Sequence, residues 1–96
     1  MDKQNSELRP LMVTTAHRGV FFGYGVMSDA SIITLKKARN CVAWTQGTRG
    51  FLGLASEGPG EGCKVGPAAP ELLLRDVTSV ALVTDVAAKR WEQAPW

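Results

Sequence analysis

The 96-residue sequence has almost no charge imbalance: 11 Lys and Arg stand against 9 Asp and Glu, a net charge of +2. That is too little for a protein that coats nucleic acid through bulk charge. There is a single histidine, His17, with no Asp or Glu beside it, so an imidazole-based catalytic set has no second member in view. The two cysteines, Cys41 and Cys63, lack the paired C-x2-C spacing of a zinc site, and nothing in their placement brings them to a common metal. No metal site, cofactor or catalytic residue is expected. No apolar run approaches the roughly 18 residues of a membrane-spanning helix. The opening MDKQNSELRP is polar, without the apolar stretch of a secretory leader. No membrane partner is therefore expected.

Glycine and proline are plentiful, at ten and five, and favour short segments joined by turns. A hydrophobic fraction of 45% excludes a mostly disordered chain. Residues 1–10 read as a flexible arm, and 11–96 as one small β domain. In Val20–Met27, alternate residues share a strand face, and Gly23 and Gly25 mark a bend or a close backbone crossing. Ser28–Ser31 has turn chemistry, so this run and Ile32–Leu35 read as a hairpin. After Lys36–Asn40, Cys41–Trp44 reads as a second short run and Phe51–Ala55 as a further strand. SEGPGEG, residues 56–62, reads as an exposed loop. Pro67 and Pro70 exclude their stretch from a central strand, and Glu71–Arg75 and Val77–Val83 complete the β pattern. From Thr84 the pattern becomes helical: Thr84 as cap, Asp85 at the positive end, Ala87 and Trp91 on one face toward the sheet. The expected fold is mainly β, a small, strongly bent antiparallel sheet or barrel of SH3-like or Sm-like kind, with a short C-terminal helix. The few charges in Val77–Val83 leave an edge able to pair with another copy, so a homo-oligomer is expected.

Charge is unevenly placed. Thr14–Arg49 holds five basic residues, Arg18, Lys36, Lys37, Arg39 and Arg49, against one acidic, Asp29. A guanidinium forks onto phosphate and an indole stacks on a base, so Arg39 and Trp44 are the sharpest candidate pair. Arg49, Lys36 and Arg18 join them as candidate phosphate ligands, and Tyr24 as a second stacking ring. The competing reading has Trp44 filling the core and Arg39 as a solvated strand end. Lys64 follows the Gly-rich loop without the order of a P-loop, which leaves nucleotide hydrolysis unsupported.

Three stretches taken together carry a resemblance: Gly19–Gly23, Ile33–Arg39 followed by Trp44, and Cys63–Pro67 with Pro70–Leu74 and Val80–Thr84. Over residues 12–92 the chain resembles a family of small proteins of unknown function encoded by tailed phages and prophages. The resemblance implies a viral origin and a setting in the cytoplasm of an infected bacterium; it implies no site. Together with the basic middle segment, it leads to the expectation of a non-enzymatic phage protein that counteracts host antiviral defence. In its most concrete form this is an oligomeric sponge that sequesters a nucleotide-derived immune signal. The alternatives are an Sm-like binder of single-stranded nucleic acid and a component of the virion or its assembly.

Overall fold

A computed structural model describes residues 8–16, 19–43, 50–60 and 63–94. The elements in order are β1 (Arg9–Thr15), β2 (Val20–Gly25), β3 (Ile33–Ala43), α1 (Gly50–Ser56), β4 (Lys64–Val65), β5 (Ala69–Leu74), β6 (Val77–Leu82) and α2 (Asp85–Gln93). The fold is mainly β, with an antiparallel six-stranded sheet and a short C-terminal helix. Strand order is β4-β3-β2-β1-β6, with β5 also paired to β3. β1 begins at Arg9, opposite Gly25, with Pro10 opposite Tyr24, so these two residues at the end of the expected arm belong to a strand. The rest of the expected arm, residues 1–7, lies outside the described residues.

The period-two alternation of the strands sorts apolar side chains into two cores. Met12, Val20, Phe22, Cys41 and Val65 lie with Leu54, Ala55, Ala87, Ala88 and Trp91 of the helices in one cluster. Leu11, Val13, Ile33, Leu35, Ala38 and Leu74 form the other, with Val77 and Val80 packed against it. In a flat sheet β6 and β5 would stand four spacings apart, about 19 Å. Their side chains nonetheless meet the same aliphatic cluster, so the sheet curls until its flanks converge. Arg75 and Asp76 alone join β5 to β6, and Asp76 turns the corner in the left-handed region at φ 56°. The ladder is not closed between these two strands.

Curling needs room between β2 and β3, and the glycines supply it. A Cβ on Gly23 would lie 2.8 Å from the Cβ of Leu35, and one on Gly25 2.8 Å from the Thr34 carbonyl oxygen. β3 runs unbroken from Ile33 to Ala43, where the sequence suggested an interruption. Phe22 pairs with Arg39 and Tyr24 with Lys36, so three steps on β3 match two on β2. Lys37, at φ 53°, is the extra residue of this bulge. The bulge resets the alternation, placing Leu35 and Ala38 three apart yet in the same core.

Phe51–Ala55, read from the sequence as a strand, is part of helix α1. A short apolar run fits either period, and packing decides: Leu54 and Ala55 are buried against α2. α1 stops at Gly58, whose φ of +85° suits glycine, and whose amide reaches the Gly53 and Leu54 carbonyls. The 56–62 loop is thus only partly exposed, since Gly58 and Pro59 are buried. α2 begins as expected: the Thr84 hydroxyl accepts from the Ala87 amide at 3.1 Å, and Ala87 and Trp91 are fully buried on one face. Pro70 lies in β5, which pairs with β3, at the flank of the sheet where a missing amide does least harm. No helix among the described residues is long and apolar enough to cross a membrane.

Candidate functional site

Arg39 is the buried cation among the described residues. At 7% exposure it leaves β3 among the residues of the helix-bearing core. Its Nε donates to the Gly66 carbonyl at 2.7 Å, and Nη1 donates to the carbonyls of Trp91 at 2.7 Å and Glu92 at 3.3 Å. The Trp91 and Glu92 carbonyls are at the end of α2, where helical oxygens lack intrahelical donors and carry partial negative charge. One guanidinium therefore ties three separate stretches: β3, the β4–β5 link and the last turn of α2. The solvated strand end of the bland sequence reading is corrected, because the partners at 66 and 91–92 enclose the side chain.

Beside Arg39 lies a cleft of ≈ 280 Å³ lined by Phe22, Lys37, Arg39, Ala68 and Glu92. Lys37 is there because the bulge turns it out of the strand alternation. The Phe22 ring stacks on Trp91 with centroids 5.2 Å apart and planes 6° from parallel. The Trp91 indole in turn donates to the Leu54 carbonyl at 3.1 Å, so the aromatic wall is held from both helices. Tyr24 packs edge-on to Phe22 at 5.4 Å and donates its hydroxyl to the Glu92 carboxylate. Partial burial, then the hydrogen bond and charge of Glu92 and the charge of Asp85, push the Tyr24 hydroxyl up to about 12. The cleft thus has Lys37 and Glu92 exposed at its mouth, over a floor that includes the buried Phe22 ring and Arg39 guanidinium.

The residues singled out from sequence divide. Arg39 and Tyr24 belong to this neighbourhood, linked through Glu92. Lys36 does not: it stands half exposed 3.6 Å from Glu71 and lines a different groove, with Leu8, Val26 and Ile32. Arg18, Trp44 and Arg49 lie outside the described residues, as does His17. Sequence reading missed Lys37, Glu92 and Phe22 as cleft residues. For Lys37 a signal existed, the three-residue step between Leu35 and Ala38; for Glu92 there was none. No group of three His, Cys, Asp or Glu that could hold a metal ion occurs among the described residues.

No curated protein and no solved structure matches the chain. A family model does match, over residues 8–91, which takes in every described strand, the Arg39 latch to Trp91 and all but one lining residue of the cleft. The chain belongs to the family described as Domain of unknown function (DUF6948).

Proposed function

We propose that the protein is a non-enzymatic binding module that takes a small anion of the nucleotide class into the cleft between Lys37, Arg39 and Glu92. The observation that carries this reading is the mixed chemistry of that cleft. Exposed Lys37 suits phosphate, with the positive charge of the buried Arg39 guanidinium behind it, while the Glu92 carboxylate accepts from a sugar hydroxyl or an exocyclic amine. A nucleotide offers both kinds of group, whereas a bare anion meets Glu92 only as a repulsion. The volume is close to the lower end of small-molecule sites, about 300 Å³. The biological setting belongs to the same proposal: sequestration of a nucleotide-derived immune signal, by a phage protein in an infected bacterium, as the resemblance implies.

The test is direct. Purified protein is melted in the presence of linear and cyclic nucleotides, and the same nucleotides are assayed for depletion from solution. The expected result is a raised Tm with at least one nucleotide, which is recovered chemically unchanged. Lys37→Glu is expected to abolish the shift while leaving the unliganded Tm nearly unchanged, since Lys37 is exposed. No shift and no depletion with any nucleotide would remove the proposal. If single-stranded RNA binds instead, with affinity falling steeply with salt, the nucleic-acid reading replaces it.

A further inference from the structure

The helices cover only part of their side of the sheet. Beyond Met12, Phe22 and Tyr24 the same side continues through Leu8, Val26 and Thr34, and there it is open. Leu8 and Ile32 are 46% and 53% exposed, and with Val26, Thr34 and Lys36 they line a groove of ≈ 370 Å³. Leu73, paired with Thr34 across β5, adds another half-exposed aliphatic side chain to the same region. A contiguous apolar surface of this kind on a small domain marks a contact site.

We propose that this groove is where a second copy of the chain docks, about a two-fold axis that sets Lys36 of each copy against Glu71 of the other. Charge complementarity selects this occupant. Lys36 and Glu71 face one another across β3 and β5 at the rim of the groove, 3.6 Å apart and both about half exposed. Among the described residues this pair gives the rim a charge of each sign. An acidic or a basic partner would meet a like charge there along with an opposite one. A copy related by a two-fold presents Glu71 to Lys36 and Lys36 to Glu71 at once, and its own Leu73 and Ile32 to the groove. Contact through the face rather than the flank is favoured because β5 carries Pro70 and Glu71, both of which blunt strand addition.

Sedimentation velocity and native mass spectrometry of the full chain at about 100 μM, well above a Kd of about 10 μM, test the proposal. The expected species has twice the 10.3 kDa chain mass. Ile32→Glu, at an exposed position, is expected to give a monomer with an unchanged far-UV spectrum. Lys36→Glu and Glu71→Lys are each expected to weaken the dimer at least about tenfold by placing like charges together. Mixed in equal amounts, these two variants are expected to recover a heterodimer, because every cross-copy contact is then opposite in sign; misfolding cannot mimic that recovery. A wild-type monomer at this concentration overturns the proposal. So does a dimer indifferent to Ile32→Glu and to both reversals, or a mixture of the two variants that stays monomeric.

Discussion

The two sides of the curled sheet are built on different terms. Inside the curl, Leu11, Val13, Ile33, Leu35, Ala38 and Leu74 form a core without a polar side chain, which any well-filled aliphatic set could supply. Under the helices, the core holds a stacked pair of rings, an indole N–H and a guanidinium, each with a named acceptor. One side is specified by volume, the other by hydrogen-bond geometry. The side specified by geometry is also the one that carries the cleft. The lesson is that Arg39 holds the floor of the candidate site in place by holding α2.

Substitutions can break or sharpen that contrast. The largest expected effect is Trp91→Ala, which empties the helix-side core, removes the stack on Phe22 and takes the indole donor from the Leu54 carbonyl. It should cost about 3–5 kcal/mol in denaturant unfolding. Arg39→Ala follows at about 3 kcal/mol, because two charge-assisted bonds of 2.7 Å are lost and buried carbonyls are stranded. Arg39→Lys keeps the charge but loses the planar fork and should recover little of that. Leu35→Met in the aliphatic core should cost less than about 1.5 kcal/mol, below Arg39→Lys. If Leu35→Met proves the more damaging of the two, the division into volume and geometry is wrong. Thr84→Ala removes the cap of α2 and should cost about 1 kcal/mol, measured as a lowered denaturant midpoint with unchanged slope.

The smallest effect is one of pH. The Tyr24 hydroxyl titrates near 12 in the folded protein against 10.0 in the unfolded chain. Its contribution is fully present below pH 10 and drains away as pH climbs from 10 toward 12, because the unfolded state loses the proton first. A Tyr24→Phe variant should show a shallower loss of Tm over that window. Equal slopes for the two proteins would sever the link between Tyr24 and Glu92.

Local rules made one end of the molecule legible. Thr84 as cap, the Ala87–Trp91 face and the close approach behind Gly23 and Gly25 all depend on neighbours a few residues away or on a missing Cβ. Two features resisted for physical reasons. The α1 segment is too short for its period to choose between strand and helix, although Gly58 followed by Pro59 was a stop signal in plain sight. Arg39 meets its acceptors 27 and 52 residues further along. Only the assembled topology brings them together, and no spacing rule encodes it. Lys37 lies between these cases, since the hydrophobic step from Leu35 to Ala38 betrays an inserted residue.

The corner at Arg75–Asp76 bears on how the chain is made. β1 needs β6 on its outer side, yet β6 is separated from it by every other strand in the sequence. On the ribosome, β1, β2 and β3 emerge first, and β1 stays one neighbour short until residue 82 has left the exit tunnel. The interior of the curl is open to water throughout that interval, and assembly waits for the most distant pairing in the sheet. A truncation ahead of Val77 would leave that vacancy permanent, with the flank of β1 offered to whatever strand came by.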